Sequence, residues 1–248
     1  MKIAIAGGTG VVGAPTVQAV RNAGHEAVVL SRSRGVDLIK GTGLDSALDG
    51  VDAVIDTANI TTLKADAATE FFTVATGNLI TASERAGVGH LVLLSIVGID
   101  RMPFDYYAGK VAQEQVVEAS PVPWTIQRAT QFHEFAAQMF DRAKAGPLHL
   151  APRARTQPVA AAEVGERLAE VAAGAPQGRA RDFAGPREEA MDAMVKAYAR
   201  AIDHRGWVPS ISIPGKQMRG MREGLALPGP DAVLGRQTFA EWLVEQRP

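Results

Sequence analysis

The stretch MKIAIAGGTGVVG, residues 1–13, decides the fold. A short apolar run over residues 2–6 predicts a strand, and a helical pattern follows over residues 11–23. Gly7, Gly10 and Gly13 therefore stand in a turn from a strand to a helix. Glycines at these positions let a pyrophosphate approach main-chain N–H groups at the positive end of the helix. The pattern predicts a dinucleotide site, and its alternative is a tight turn that binds nothing.

Short runs rich in Val, Ile and Leu predict further strands along the first half of the chain. They lie at residues 26–31, 51–56, 90–95 and 124–128, with a shorter run near residues 36–39. Helical periodicity predicts helices at residues 66–86 and 107–119. Because strands alternate with helices and the apolar runs are nearly continuous, we expect an α/β fold with a doubly wound parallel sheet of the Rossmann type.

The alternation loosens after about residue 130, where prolines divide the chain into short pieces. Helical periodicity remains at residues 163–173 and 188–202, and residues 208–213 alternate like a strand. We expect residues 1–130 to form a dinucleotide-binding domain. Residues 131–248 should form a small substrate-binding lobe at the carboxyl edge of the sheet, partly interleaved with it.

Composition excludes several classes of function. The 248 residues carry 26 Lys and Arg against 27 Asp and Glu, which disfavours a nucleic-acid partner. The chain has no cysteine, so thiolate nucleophiles and cysteine-bound zinc are excluded, and its five histidines lack a ligand spacing for any metal. The longest apolar run, residues 91–99, is too short and interrupted for a membrane span. We expect a cytoplasmic protein with a small-molecule substrate and no membrane partner.

The end of the second predicted strand indicates which dinucleotide is bound. An acidic residue there would bond the ribose hydroxyls and repel a 2′-phosphate. The sequence instead reads LSRSR over residues 30–34, with no acid before Asp37. Ser31 and Arg32, with Arg34 beside them, suit a 2′-phosphate, so NADP is favoured over NAD. The alternative is a pair of solvated loop arginines.

Three residues have the chemistry of a proton-transfer site. Tyr106 and Lys110 are four apart at the start of a predicted helix and share one face of it, and Ser95 ends the preceding strand. We expect Tyr106 to act as a general acid, with its pKa lowered by the ammonium group of Lys110. Ser95 would hold the substrate oxygen, and Lys110 would also bond the nicotinamide ribose. The alternative is that a tyrosine ring packs beneath the helix.

Two further features fit the substrate side. His133 follows the strand at residues 124–128, where it could orient a substrate, or it could face solvent at a helix start. Met218 and Met221 stand among arginines, which fits either a flexible apolar pocket wall or a surface helix.

Together these stretches resemble the short-chain dehydrogenase/reductase superfamily in its atypical, NmrA-like NAD(P)-binding branch. The resemblance is carried by GGTGVVG at residues 7–13, GVDAVID at 50–56, LSIVGID at 94–100, residues 106–110, and PWTIQRATQF at 123–132. It covers the first 140 residues well and extends weakly towards the end of the chain.

The resemblance implies positions for the cofactor and the substrate. Thr9, Val11 and Val12 join the glycines around the pyrophosphate, while Thr57, Ala58 and Asn59 pass near the adenosine. Ser95, Ile96 and Val97 lie near the nicotinamide, and Ala129 and Thr130 cap its carboxamide. Val97 and Gln131 also lie on the substrate side.

The function that these features predict is an NADPH-dependent oxidoreductase. It would transfer hydride between the nicotinamide and a small carbonyl, quinone or conjugated compound. Two alternatives remain open: a non-catalytic NAD(P)-sensing regulator that binds a protein partner, and a non-redox isomerase or cyclase on the same fold.

Overall fold

The structure of the chain is a computed structural model that describes residues 1–146 and 148–246. Its centre is a parallel sheet built first from five strands. They are β1 (Lys2–Ala6), β2 (Glu26–Leu30), β3 (Ala53–Asp56), β4 (His90–Ile96) and β5 (Trp124–Ala129). They stand in the order β2-β1-β3-β4-β5, and every neighbouring pair is parallel. The predicted α/β fold class with a parallel sheet is confirmed.

Helices cover both faces of this sheet, because its strands are apolar on both sides. In chain order, the helices of the described residues are α1 (Gly13–Asn22), α2 (Leu44–Ala47), α3 (Ala65–Ala86), α4 (Tyr106–Glu118), α5 (Phe135–Arg142), α6 (Ala161–Ala173), α7 (Met191–Ala201), α8 (Lys216–Arg222) and α9 (Phe239–Glu245). One core lies between the sheet and α1 with α6, and the second lies between the sheet and α2, α3 and α4.

Short strands dominate the second half of the chain. They are β6 (Lys144–Ala145), β7 (Leu148–His149), β8 (Ala151–Pro152), β9 (Arg155–Thr156), β10 (Gly178–Arg179), β11 (Phe183–Ala184), β12 (Glu189–Ala190), β13 (Ser210–Ile211) and β14 (Val233–Leu234). β10 and β11 pair with β5, and β14 pairs with β11, so this half of the chain extends the main sheet. The rest of it packs around α5, α7 and α8.

The strand predicted near residues 36–39 is wrong. Asp37 and Thr42 form only an isolated antiparallel bridge, and the Asp37 carboxylate accepts the N–H groups of Ile39 and Lys40. Gly35 and Gly41 adopt positive φ angles of 79° and 70°, which turn the chain away from an extended path. Consequently β2 is the outermost strand on this side of the sheet.

Two predicted elements of the second half are shorter in the structure. The helix predicted at residues 188–202 begins at Met191, because Glu189 and Ala190 pair with β9 first. Within residues 208–213, only Ser210 and Ile211 form a strand. None of the helices in the described residues is long and apolar enough to cross a bilayer.

Candidate functional site

The glycine turn between β1 and α1 lies where the sheet reverses its winding. β1 stands between β2 and β3. A crevice therefore lies at the carboxyl ends of β1 and β3, between the loops that follow these two strands. Gly7 has φ +73°, and a Cβ atom there would lie 2.9 Å from the backbone of Ala58. A Cβ atom at Gly13 would lie 2.0 Å from the carbonyl oxygen of Gly7. Glycine is therefore required at both positions by main-chain contact.

The same turn offers unused main-chain donors. Gly10 donates to the Gly7 oxygen at 2.9 Å, which closes the turn. Among the described residues, the N–H groups of Thr9, Val11 and Val12 meet no hydrogen-bond acceptor. These donors lie at the N-terminus of α1, where the helix dipole favours an anion. Since no side chain fills the turn at its glycines, the residues present fit a pyrophosphate group.

Ser31 and Arg32 follow β2, on the adjacent loop. The Ser31 hydroxyl lies 3.0 Å from that of Ser33, and Arg32 is exposed at the start of a single 3₁₀ turn. No ion pair within residues 1–146 and 148–246 engages Arg32. The nearest acid along the chain, Asp37, is turned into its own loop. A free guanidinium group and a hydroxyl group are thus available where the adenosine ribose of a dinucleotide would lie.

Asn59, in the loop after β3, contacts the first residue of α4. The Tyr106 hydroxyl donates to Oδ1 of Asn59 at 2.7 Å, and that oxygen also accepts the N–H of Ile60. Thr57 secures the start of the same loop by donating its hydroxyl to the Ala6 oxygen at 2.7 Å. The loop predicted to pass the adenosine therefore contacts the proposed proton donor at the start of α4.

Lys110 lies in a buried polar network. It is only 4% exposed, and its ammonium group donates to the Leu94 oxygen at 2.9 Å and to Oε1 of Gln113. Gln113 in turn donates to Asp56 and Thr76, at 3.1 and 2.8 Å. The ammonium group also lies 4.7 Å from the centre of the Phe72 ring. Lys110 is thus held by β4 and α4, and its hydrogen bonds do not include Tyr106.

Burial shifts the pKa values of these groups. It lowers the pKa of Lys110 to about 8, against the opposing attraction of Asp56 and Glu114. It raises the pKa of Asp56, although the Ala58 N–H and two side-chain donors favour the charged carboxylate. It also raises the pKa of Tyr106, with a further contribution from Tyr107. The expected lowering of the Tyr106 pKa by Lys110 is therefore absent, and Tyr106 is a protonated phenol at neutral pH.

Ser95 is 1% exposed and faces α4. Side chains alternate along β4, so Ser95 shares the face of Leu91 and Leu93, which pack against α3 and α4. Its hydroxyl lies close to the Glu114 carboxylate but outside hydrogen-bonding geometry. The structure thus places Tyr106 beside the loop after β3, while Ser95 and Lys110 are buried between β4 and α4.

Glu114 is the centre of an ionic network that sequence reasoning missed. Its carboxylate, with a side chain only 3% exposed, receives Arg128 from β5 and Arg179 from β10, each at 2.8 Å. Burial acts to raise the pKa of Glu114, but the two arginines outweigh it and lower that pKa. Arg128 also pairs with Asp100 at 3.1 Å. The network joins α4 to β5 and β10, and so fixes the helix that carries Tyr106.

The remaining predicted residues lie at the ends of β4 and β5. Ile96 is partly buried and Val97 fully buried. Ala129 is buried, and Thr130 donates its hydroxyl to the Gln157 oxygen at 2.6 Å. Gln131 accepts the Thr156 hydroxyl at 2.7 Å and donates to the buried Tyr107 hydroxyl at 3.4 Å.

His133 lies apart from Tyr106, beneath the C-terminal helix. It is fully buried, packs against the rings of Phe239 and Trp242, and its Nε2 lies 3.0 Å from the Gln237 oxygen. Burial lowers the pKa of His133, so the ring is neutral at pH 7. Its surroundings are those of a core histidine.

Comparison with known families gives one match. The profile of a family described as NAD(P)H-binding matches residues 7–173, which include the glycine turn, Tyr106, Lys110 and α6. Comparison with curated proteins gives no match.

Solved structures share the fold over nearly the whole chain. NADPH-dependent quinone oxidoreductase QOR2 from Escherichia coli, in complex with NADPH, is 16% identical, with a TM-score of 0.74 over 98% of this chain and 99% of that one. Triphenylmethane reductase from Citrobacter sp., in complex with NADP(H), is 15% identical, with a TM-score of 0.73 over 99% of both chains. UDP-glucose 4-epimerase from Thermus thermophilus, in complex with NAD, is 19% identical, with a TM-score of 0.67 over 92% and 97%. At these identities the likeness shows the fold alone.

Proposed function

Because the chain belongs to the NAD(P)H-binding family, we propose that it is an NADPH-dependent oxidoreductase acting on a small carbonyl, quinone or conjugated compound. The observation that carries the proposal is the glycine turn, whose free N–H groups lie at the switch point of the sheet. The free N–H groups at the N-terminus of α1 would hold the pyrophosphate of a dinucleotide, and residues at the carboxyl ends of β4 and β5 would lie on its nicotinamide side.

The preference for NADPH rests on the loop after β2. Arg32 is exposed and unpaired among the described residues, and Ser31 stands beside it. A guanidinium group binds a phosphate with two parallel hydrogen bonds, and Ser31 supplies a third donor. No carboxylate occupies the position that would favour the free ribose hydroxyls of NAD.

Tyr106 is the residue proposed to act on the substrate. The nicotinamide, when bound, would supply a hydride, which is one proton with two electrons. Tyr106 would supply the accompanying proton to the substrate oxygen, since its raised pKa keeps the phenol protonated at neutral pH. Its ring is held by edge contacts with Phe72 and Tyr107, and its hydroxyl by Asn59.

Lys110 and Ser95 have supporting roles in this proposal. Lys110 joins the carboxyl end of β4 to α4 through the Leu94 oxygen and Gln113, and so positions the start of α4. Ser95 lies beside Glu114, beneath the same helix. Both residues act through the placement of Tyr106, and neither touches the substrate.

The names of two structural neighbours support this choice of reaction. One neighbour is an NADPH-dependent quinone oxidoreductase, and the other is a triphenylmethane reductase complexed with NADP(H). Both names describe reductases that use the phosphorylated cofactor, which agrees with the residues after β2.

A non-catalytic NAD(P) sensor is the second candidate, and the separation of Lys110 from Tyr106 favours it. Because Lys110 is buried and engaged with Gln113, it does not lower the pKa of Tyr106. A protein that only senses the cofactor needs the glycine turn and Arg32 and has no need for a proton donor of matched pKa.

Turnover distinguishes these candidates. The purified protein is mixed with NADPH and a panel of ketones, aldehydes and quinones, and the loss of NADPH is recorded together with the products. We expect NADPH consumption in equal amount to product. Cofactor binding without consumption would favour the sensor, and product formation without net consumption would favour a non-redox isomerase or cyclase.

A further inference from the structure

Tyr106 belongs to a group of apolar side chains that pack on the buried cluster between α4 and the second half of the chain. Its members are all partly buried and pack on a buried cluster that includes Met102 and Tyr107. They are Ile96, Phe104, Tyr106, Phe135, Met139 and Met218. Aromatic rings and methionine side chains give a flat, adaptable surface that suits a planar conjugated ligand.

Helix α8 forms one wall of this surface and is fixed closely to the loop after β4. A Cβ atom at Gly98 would lie 2.1 Å from the Leu225 oxygen, and one at Gly220 would lie 2.4 Å from Sδ of Met102. Arg101 also donates to the Leu227 oxygen at 3.0 Å. Because these contacts leave no space between the two segments, α8 presents Met218 to the apolar surface as a fixed wall.

The charges of α8 are not balanced. The helix carries Lys216, Arg219 and Arg222 and has no acid in its first turn. Arg219 pairs with Glu223 at 3.0 Å, and Arg222 donates to the Ile213 oxygen at 2.8 Å. Lys216 has no ion pair among the described residues, and its ammonium group lies 5.2 Å from the centre of the Phe104 ring. A cation therefore stands at the rim of the apolar surface, over one of its members.

We propose that α8 determines substrate preference, and that the preferred substrate is a planar conjugated carbonyl compound with one anionic group. The conjugated rings lie against the surface around Tyr106, and Lys216 binds the anionic group at its rim. This inference rests on the proposed function, because it names the substrate class of the same site. Reduction of such a compound needs only the hydride and the Tyr106 proton already described.

Binding of two matched probes tests the inference without turnover. Calorimetry of the protein loaded with NADP⁺ compares anthraquinone-2-sulfonate, which is anionic, with 2-(hydroxymethyl)anthraquinone, which is neutral. The variants are Lys216→Glu and, as a control with the same charge change on the same helix, Arg219→Glu. Lys216→Glu should weaken the anionic probe by about tenfold and the neutral probe by less than about twofold. Arg219→Glu should leave both within about twofold, because its side chain is 75% exposed.

The outcomes separate this inference from the proposed function. Equal weakening of both probes by Lys216→Glu, or failure of the wild-type protein to bind either probe, would overturn the substrate class. If the protein consumes NADPH only with neutral quinones, and Lys216→Glu does not change this rate, the oxidoreductase proposal is supported and the anionic substrate class is overturned. Probe binding that depends on Lys216, without NADPH consumption, would support the site and contradict the oxidoreductase.

Discussion

The hydroxyl group of Tyr106 donates to Oδ1 of Asn59 at 2.7 Å, which joins the first residue of α4 to the loop after β3. This contact links the segments that follow the neighbouring strands β3 and β4. Burial raises the pKa of Tyr106, with a further contribution from Tyr107, so the proton stays on the phenol at neutral pH. Asn59 of the loop after β3 therefore orients Tyr106, and Lys110, four residues further along α4, does not.

Replacing Tyr106 with phenylalanine should remove turnover and leave cofactor binding intact. The change deletes only the hydroxyl, since the ring contacts with Phe72 and Tyr107 remain. We expect kcat to fall by about a hundredfold or more, with the NADPH affinity and the melting temperature nearly unchanged. Steady-state kinetics checks this, with Tyr198→Phe on α7 as the control. An unchanged kcat would exclude Tyr106 as the proton donor.

Gly13→Ala should disrupt the turn that holds the pyrophosphate. The added methyl group would lie 2.0 Å from the Gly7 oxygen, so the turn must open or the protein must lose stability. Gly77→Ala is a matched control, because Gly77 lies within α3 and has open space around it. We expect Gly77→Ala to raise the free energy of unfolding by up to about 1 kcal/mol and to keep NADPH affinity. Retention of full NADPH affinity by Gly13→Ala would contradict the placement of the pyrophosphate.

Lys110→Met should destabilise the fold more than an exposed ion pair can explain. The change leaves Asp56 and Gln113 in a buried site without the cation, which we expect to cost about 3 kcal/mol. The double variant with Asp56→Asn should recover part of that loss. Urea unfolding measures both, with Arg85→Met as the control, because its pair with Asp45 is exposed and contributes at most about 1 kcal/mol. Additive losses in the double variant would show that Lys110 and Asp56 are not coupled.

His133 should make the protein less stable as the pH falls below about 6.5. Its pKa is lowered in the folded chain, mainly by burial and despite nearby Glu163 and Glu189. Below that pH the unfolded chain therefore takes up a proton that the folded chain does not, and stability falls by at most about 1.4 kcal/mol per pH unit. Unfolding curves of the wild type and His133→Gln between pH 7 and about pH 5 measure the difference. Parallel curves for the two proteins would contradict this role of His133.

Local patterns in the sequence were sufficient to predict the sheet, the glycine turn and the main helices. The family match over residues 7–173 shows that the chain belongs to the NAD(P)H-binding family, as the glycine turn predicted. The strand near residues 36–39 was wrong because glycines on both sides of it turn the chain. That signal was present in the sequence and outweighs the short apolar run.

The arrangement around Lys110 could not be predicted from spacing. The four-residue interval correctly places Tyr106 and Lys110 near one another on α4, but Asp56 and Thr76 reach Gln113 from β3 and α3. Ser95 was expected beside the substrate, but the structure shows that it shares the face of β4 with Leu93 and is covered by α4. The Glu114 network depends on β10, whose pairing with β5 is set by the tertiary fold.

Calorimetric titration with NADPH and NADH tests whether the glycine turn and Arg32 bind the phosphorylated dinucleotide. The wild-type protein should bind NADPH at least about tenfold more tightly than NADH, since only NADPH engages Arg32. Arg32→Glu should remove that preference, whereas Arg21→Glu, the same charge change in the last turn of α1, should keep it. If neither nucleotide binds at millimolar concentration, the chain has no dinucleotide site at the glycine turn. If Arg32→Glu leaves the preference unchanged, Arg32 does not bind the 2′-phosphate.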